Sequence, residues 1–360
     1  MTIGELLDRV GEVAPWAKAA AWDSIGLQLG DPGTAADRVA VCHEITPTVV
    51  DRLLDDPPDL AITYHPLLFH PINRLVAGPG PGGRALRLIS AHVAVASVHT
   101  NLDAAPGGTA DALAEALGLE AVRPFGPEVG PEAVKVVTFA PESHVEVLRE
   151  AMASAGAGVI GNYTGCSFRI PGTGTFMARP GTKPAVGEPG RLNEEKEWRL
   201  EMLAPLSAMS AVLEALAGEH PYEEPAIDVY DVEPRVFLGR VGRLPSKAPL
   251  AEVAASVGQR LQAVVRFAGG GEVRDVAVVP GSGAGFADAA SIAGADVLVT
   301  GDVTHHQAAT ASERGLSIID AGHATTERPG VRSLAASVAA IGVPVLDLTA
   351  LAADPWQWIP

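Results

Sequence analysis

The stretch DLAITYH, residues 59–65, decides the fold class of this chain. It is almost continuously apolar until it ends in Tyr64 and His65. Short, continuously apolar strands are typical of a sheet that is covered on both faces. VAVCHEI (39–45) and HVAVASVHT (92–100) have the same character, and helical segments separate them from it. Strands that alternate with helices in this way predict an α/β layer with parallel pairing.

The same alternation returns near the carboxyl terminus, in VAVVP (276–280), VLVT (297–300), LSIID (316–320) and VPVLDL (343–348). Between the two parts the pattern changes to β-α-β-β-α-β, which is the ferredoxin-like order. Within it, GCSFRI and TGTFMA are predicted to be joined by a tight glycine-rich turn. We therefore predict one α/β domain, residues 1–130 and 236–360, interrupted by an inserted α+β domain, residues 131–235.

Composition excludes several classes of protein. The 360 residues include 26 Lys and Arg and 43 Asp and Glu, which gives a net charge of −17, and 47% of the residues are hydrophobic. The apolar content excludes a mainly disordered chain, and the negative charge disfavours a large nucleic-acid-binding face and docking on anionic membranes. Two cysteines are too few for a disulfide scaffold. With no signal peptide and no apolar membrane span in the sequence, we expect a cytoplasmic protein.

Histidines and acidic residues follow four of the predicted strands, where ligands of parallel sheets collect. They are His65, then His99 with Asp103, then His306, and finally His323 with Glu327. In GHATTE, His323 and Glu327 are four residues apart, so a helix would place both on one face. Imidazole and carboxylate together suit zinc, iron, manganese or nickel. Taken singly, each residue also has a structural interpretation as a helix cap, a helix-start acid or a surface histidine.

Two further motifs have simpler interpretations. PGSGAG (280–285) follows a strand and could cradle a phosphate with its amides, but it lacks the P-loop residues, and a tight turn is favoured. HPYEEP (220–225) is interpreted as a turn between a helix and a strand.

Five strings resemble the NIF3-like family, whose bacterial members are commonly named GTP cyclohydrolase 1 type 2 homologs. They are WDSIGLQLGD (22–31), ITYHPLLFHP (62–71), SVHTNLDAAPGG (97–108), TGDVTHHQA (300–308) and DAGHATTE (320–327). GAGVIGNYTGCSFRIPGTGTF (156–176) and HPYEEPAIDVY (220–230) resemble the extra domain of the longer bacterial members, which is similar to PII and CutA proteins. The resemblance covers essentially the whole chain.

The resemblance implies two α/β halves around a dinuclear metal site, in a ring-like homohexamer. The family's ligands are a His-His pair, the Asp of H-T-x-x-D, and the His and Glu of G-H-x-x-x-E. Carried onto this chain, they are His65, Asp103, His323 and Glu327, and the first histidine of the pair is replaced by Tyr64. The implied cofactor is one or two divalent ions per chain.

The tyrosine weakens the implied site, because a phenol with a pKa near 10 coordinates well only when it is deprotonated. Loss of one imidazole should weaken one of the two metals unless Tyr64, His99, His70 or water compensates. His43, in the string CHEIT, is another candidate replacement. The alternative is that Tyr64 simply packs and the site binds one ion.

Two functions follow from these features. The first is a metal-dependent hydrolase of a small molecule, for which the family name suggests a nucleotide, with His99 and His306 as candidates for proton transfer or substrate contact. The alternative is an oligomeric metal-binding or regulatory protein without catalysis. A transcription-linked interaction protein is disfavoured because the chain has no basic surface signature.

Overall fold

The computed structural model describes residues 1–20, 22–128, 133–179, 181–182, 184–232, 237–351 and 354–356. The chain divides into two compact units. The first unit comprises Met1–Gly130 and Arg235–Pro360, and the second unit is Pro131–Pro234. Among the described residues, no helix combines the length and apolar character needed to cross a membrane.

The amino-terminal part of the first unit alternates helices with short strands. Its elements are α1 (Ile3–Val13), β1 (Gly26–Leu29), β2 (Val39–Cys42), α2 (Pro47–Asp55), β3 (Leu60–Thr63), α3 (Pro81–Ser90), β4 (Ala94–Ser97), α4 (Thr100–Ala104), α5 (Thr109–Ala116) and β5 (Glu120–Glu128). Thr46 caps α2 by accepting from the amide of Val49, and Pro47 occupies the first turn, where a missing N–H costs nothing.

The second unit contains six main elements. They are β6 (Ala133–Ala140), α6 (Glu142–Ser154), β7 (Phe168–Met177), β8 (Leu192–Pro205), α7 (Met209–Glu219) and β9 (Ile227–Val232). Their sheet has the order β7-β8-β6-β9 and every pair is antiparallel. The predicted β-α-β-β-α-β order is confirmed. The predicted turn between GCSFRI and TGTFMA is wrong, because Gly172 and Gly174 lie inside the continuous strand β7.

The carboxyl-terminal part returns to the first unit. Its elements are β10 (Phe237–Pro249), α8 (Leu250–Leu261), β11 (Arg266–Ala268), β12 (Glu272–Val278), α9 (Ala287–Ile292), β13 (Val297–Thr300), α10 (His305–Glu313), β14 (Ser317–Asp320), α11 (His323–Ala340) and β15 (Val345–Asp347).

Two sheets organise the first unit. The five-stranded sheet has the order β1-β4-β3-β2-β15, and the six-stranded sheet has the order β11-β14-β13-β12-β10-β5. Strands β15, β2, β3 and β4 are parallel, as are β12, β13 and β14, which confirms the predicted α/β class. Because β15 pairs with β2, the first and last parts of the chain complete one sheet.

The start of α11 is held in place by close packing farther along the helix. Val331, Leu334 and Val338 pack into the core beneath the five-stranded sheet. At Gly330 a Cβ atom would lie 2.4 Å from the Cα of Thr109, so the helix backbone approaches α5 at a distance only glycine permits. The first turn of α11 is therefore fixed near the carboxyl ends of the strands.

Candidate metal centre

Two histidines are brought side by side by the ladder between β2 and β3. His43 follows β2, and Tyr64 and His65 follow β3. The ladder continues past the strand ends, because the amide of His65 donates to the carbonyl of His43 at 2.9 Å. The two imidazole rings lie edge to face, with centroids 4.9 Å apart. Parallel neighbours thus deliver both rings to the same sheet edge.

The carboxylate of Glu327 joins these two rings to a third. Its side chain is buried in the first turns of α11, one turn beyond His323. Oε2 of Glu327 lies 2.7 Å from Nε2 of His43 and 3.1 Å from Nε2 of His65. Its other oxygen, Oε1, lies 3.1 Å from Nε2 of His323. One carboxylate therefore contacts three imidazoles, and the sequence prediction that His323 and Glu327 share a helix face is confirmed.

Three of these residues could hold a metal ion. The ligand atoms of His43, His65 and Glu327 all lie within 4.8 Å of one another, and we call these residues the trio. Two imidazole nitrogens and one carboxylate oxygen form a donor set that suits a borderline divalent ion and leaves coordination positions open. His323 contacts the carboxylate from the other side.

The charges of the cluster favour an ionised carboxylate. Burial alone would raise the pKa of Glu327, but the hydrogen bonds from His323, His43 and His65 hold it well below its usual value. The hydrogen bond to Glu327 and a second one to Asp302 raise the pKa of His323 to about 9. A metal cation that enters the cluster must therefore compete with the imidazole protons that are hydrogen-bonded to Glu327. Its affinity should increase as pH rises and these protons are lost.

Tyr64 and Asp103 form a separate buried pair beside the trio. The hydroxyl of Tyr64 donates to Oδ1 of Asp103 at 2.6 Å, and its ring stacks on His43 with centroids 5.6 Å apart. Burial raises the pKa of Tyr64 well above 10, and the carboxylates of Asp103 and Glu327 add to this effect. The phenol of Tyr64 therefore stays protonated and remains hydrogen-bonded to the carboxylate of Asp103. Asp103 itself lies outside the trio.

Replacing Asp103 by asparagine is expected to stabilise the metal-free protein by about 1–3 kcal/mol at pH above about 7. Burial raises the pKa of Asp103 from 3.8 to about 6, so the folded protein binds this proton more tightly than the unfolded chain does. This contribution to stability is complete below about pH 4 and is lost as pH rises through about 6.

Chemical denaturation in the presence of a chelator, repeated from about pH 4 to pH 8, measures this difference. The gain should shrink toward zero at the acidic end. Asp8→Asn, at an exposed position, is the control that should show no such trend. A pH-independent difference between Asp103→Asn and wild type would contradict the assigned pKa direction.

His99 and His306, the two candidates for proton transfer, lie in different surroundings. The ring of His99 lies 5.1 Å from that of His65, and its Nδ1 is 2.9 Å from Oδ1 of Asp23, whose side chain is buried. Burial lowers the pKa of His99, but the hydrogen bond to Asp23 and the nearby carboxylates raise it above 6.5. His306 is exposed on α10, and its ring lies 5.3 Å from that of His305. Among the described residues, the ion pairs of the trio do not involve His306.

Asp23 and Gly281 contact the site residues, but the sequence alone predicts no function for either of them. Asp23 lies in the string WDSIGLQLGD, which carries the family resemblance and no other functional pattern. At Gly281 a Cβ atom would lie 2.5 Å from Oε1 of Glu327, and the backbone has φ +62°, so only glycine lets the loop lie over the carboxylate. Its amide donates to Oγ1 of Thr326. PGSGAG (280–285) is thus a turn that packs against α11.

Comparison with known proteins supports one relationship over the whole chain. The sequence model of the family Duf34/NIF3 (NGG1p interacting factor 3) matches residues 1–350. The GTP cyclohydrolase 1 type 2 homolog of Mycobacterium tuberculosis is 36% identical over 370 residues, covering 99% of this chain and 96% of that protein. The homolog of the same name from Bacillus subtilis is 37% identical over 326 residues, covering 89% and 87%.

Solved structures agree with the sequence relatives. A Bacillus cereus protein related to NIF3 aligns with a TM-score of 0.65 and 34% identity, covering 100% of this chain and 99% of that one. Staphylococcus aureus protein SA1388 aligns with a TM-score of 0.73 and 26% identity over the same shares of the two chains.

Proposed function

Since the chain belongs to the Duf34/NIF3 family, we propose that it is a hydrolase that depends on a divalent metal ion held by His43, His65 and Glu327. The observation that carries the proposal is the buried carboxylate of Glu327, which is shared by imidazoles at the carboxyl ends of two parallel strands. The relatives' name makes GTP the first substrate to test.

The residues present fit a divalent ion. His43 and Glu327 are buried and would hold it from within the protein, whereas the side chains of His65 and His323 are partly exposed to solvent. When bound, such an ion supplies Lewis acidity and lowers the pKa of water toward neutrality. The phenol of Tyr64 donates a hydrogen bond to Asp103, so this carboxylate is not available as a ligand for a second metal. We therefore propose that the chain holds one ion tightly rather than two.

His99 is the residue proposed to move a proton. Its Nδ1–H donates to Asp23, which also accepts from the amide and hydroxyl of Thr100 and is therefore fixed. This leaves Nε2 of His99 to take or deliver a proton beside His65. The exposed aromatic rings of Trp22 and Phe69 lie near His99, with ring centroids 6.2 and 6.4 Å from that of His99. They would contact a bound substrate at the surface of the site.

Two expectations from the family accompany this proposal. Copies of the chain would assemble into a homohexamer, which light scattering of the purified protein can measure. Residues 131–235 would be an inserted domain of the PII and CutA kind.

The hydrolase proposal is tested by turnover of GTP, other nucleotides and simple phosphoesters by the metal-loaded protein. Turnover should require the metal and should fall about 10- to 100-fold in His323→Ala, because this imidazole contacts the carboxylate of the trio. His305→Ala, at an exposed position on α10, is the matched control that should keep full activity. Tight metal binding without turnover of any of these substrates would contradict a hydrolase and favour the metal-binding or regulatory alternative.

A further inference from the structure

Asp302 has a backbone conformation that few residues other than glycine adopt. It follows β13 in the string TGDVTHH, and its φ is +55°, in the left-handed region. For most side chains this region is costly because Cβ approaches a carbonyl oxygen, whereas glycine adopts it freely. A residue in such a conformation needs contacts that impose it, and such residues concentrate at functional sites. The presence of aspartate rather than glycine therefore needs an explanation.

Hydrogen bonds on both sides of this position impose the conformation. On one side, the amide of Gly301 donates to the carbonyl of Gly281 at 2.8 Å. On the other side, the amide of Val303 donates to Oδ2 of Asp320 at 3.2 Å, and its carbonyl accepts from the guanidinium of Arg266 at 2.6 Å. The backbone is thus fixed before and after the kink. Because backbone contacts fix the kink, glycine would fit it as well as aspartate does.

The kinked loop packs directly on the first turn of α11. A Cβ atom at Gly301 would lie 2.6 Å from the backbone nitrogen of His323, so the two backbones are in close contact. Asp320 also accepts from the amide of Gly322 through Oδ1 at 3.1 Å, and Gly322 is the residue that precedes the helix. The same carboxylate therefore ties the loop after β13 to the start of α11. These contacts fix the separation between Asp302 and His323.

The carboxylate of Asp302 is directed at the ring of His323. Its Oδ2 lies 2.6 Å from Nδ1 of His323, and Nε2 of the same ring lies 3.1 Å from Oε1 of Glu327. Each ring nitrogen faces a carboxylate oxygen, so both N–H groups donate. The ring is therefore held from both ends. The side chain of Asp302 is 49% exposed, so it is not needed to fill a core.

The orientation of His323 matters because the two oxygens of Glu327 have different neighbours. Oε2 faces the ring nitrogens of His43 and His65, whereas Oε1 faces Nε2 of His323. Without the contact at Oε1, the carboxylate is free to rotate and to turn Oε2 away from the two other imidazoles. Hydrogen bonds from neighbouring residues orient the ligands of metal sites, and their loss typically lowers metal affinity about 10- to 100-fold.

We propose that Asp302 is a positioning residue of the metal centre, which holds His323 so that Glu327 presents Oε2 to the ion. The inference rests on the proposed function, since the ion held by the trio is part of it. Asp302 itself lies outside the trio. The hydrogen bond to His323 explains why this position carries a carboxylate, although glycine would adopt its backbone conformation at lower cost.

Three substitutions of Asp302 separate the side chain from the backbone. Asp302→Asn keeps a hydrogen-bond acceptor and tolerates a positive φ, whereas Asp302→Ala and Asp302→Gly both lose the acceptor. Both of these variants should bind zinc about 10- to 100-fold more weakly in competition with a chromophoric chelator. Asp302→Asn should stay within a few-fold of wild type, although it has lost the same charge.

Thermal unfolding in the presence of a chelator gives the corresponding stabilities. Asp302→Gly should unfold at a higher temperature than Asp302→Ala, because glycine relieves the backbone strain that alanine keeps. A structural role of Asp302 would make zinc affinity follow stability. Zinc affinity restored toward wild type in Asp302→Gly, or lost equally in Asp302→Asn, would therefore overturn the proposal.

Crystals of the metal-free variants test the positioning of the ring without any metal. In wild type and Asp302→Asn, the ring of His323 should keep one orientation with Nε2 toward Glu327. In Asp302→Ala and Asp302→Gly, it should turn away or occupy two orientations. A ring that keeps its place in both variants would overturn the proposal. If wild type bound no zinc, the proposed function would fail, and these crystals would still decide whether Asp302 positions the ring.

His92 offers a matched control for backbone strain. It is exposed, its φ is +57°, and it lies between α3 and β4. Since β4 runs parallel to β3, His92 lies at the opposite end of the sheet from His65. His92→Gly should unfold at a higher temperature than His92→Ala, and both should bind zinc as wild type does. A loss of zinc affinity as large as in the Asp302 variants would contradict the proposal.

Discussion

Replacing Glu327 by glutamine is expected to lower the affinity of the protein for a divalent ion by at least about 100-fold. Glu327 carries the only negative charge of the trio, and its two oxygens are contacted by His43, His65 and His323. An amide keeps the shape but removes the charge, and it turns an NH₂ group toward at least one imidazole. Competition with a chromophoric chelator measures the affinity directly.

The metal-free protein should also respond to this substitution. The three hydrogen bonds hold the pKa of Glu327 well below its usual value, so the ionised carboxylate stabilises the fold at neutral pH. Loss of these charged hydrogen bonds is expected to cost about 1–3 kcal/mol in denaturation experiments. Glu313→Gln, at an exposed position on α10, is the control for both measurements. Unchanged metal affinity in Glu327→Gln would show that the ion binds elsewhere.

Replacing Tyr64 by histidine is expected to raise the bound metal from about one to about two ions per chain. The phenol is buried, its pKa lies well above 10, and its proton is donated to Asp103. Tyr64 therefore supplies no metal ligand, and its hydrogen bond also keeps the carboxylate of Asp103 from binding a metal. Histidine at this position would add an imidazole beside His43 and release the carboxylate of Asp103. Elemental analysis after dialysis against a defined metal buffer gives the stoichiometry.

Tyr64→Phe separates the two effects of this substitution. Phenylalanine keeps the ring that stacks on His43 and releases Asp103, but it adds no nitrogen ligand. We therefore expect Tyr64→Phe to stay near one ion per chain. If wild type already holds two ions, the assignment of Tyr64 as the residue that removes a ligand is wrong.

The fold could be predicted where apolar strands carry their own signal. DLAITYH and VLVT are buried at every strand position, and this burial is what makes them continuously apolar. The short antiparallel edge strands β1 and β11 could not be predicted, because β1 has four residues and β11 has three, too few to show a period. Gly172 and Gly174 predict a turn because glycine is typical of turns, whereas both lie inside β7, and a Cβ atom at Gly174 would lie 1.9 Å from Oε2 of Glu197.

The candidate site could be predicted only in part. The spacing of His323 and Glu327 was sufficient to place them on one helix face, because a helix has a fixed period. The position of His43 depends on the register of β2 against β3, and the partner of Tyr64 depends on which way a buried ring points. Neither the strand register nor the direction of the ring is determined by the neighbouring sequence. Asp23 is 76 residues from His99, so their hydrogen bond is purely tertiary.

Anomalous diffraction from zinc-loaded crystals of the wild-type protein would locate the metal directly. We expect one strong peak per chain, about 2.0–2.2 Å from Nε2 of His43, from Nε2 of His65 and from a carboxylate oxygen of Glu327. A peak that is ligated by Asp103 and His323, with His43 beyond coordination distance, would contradict this expectation.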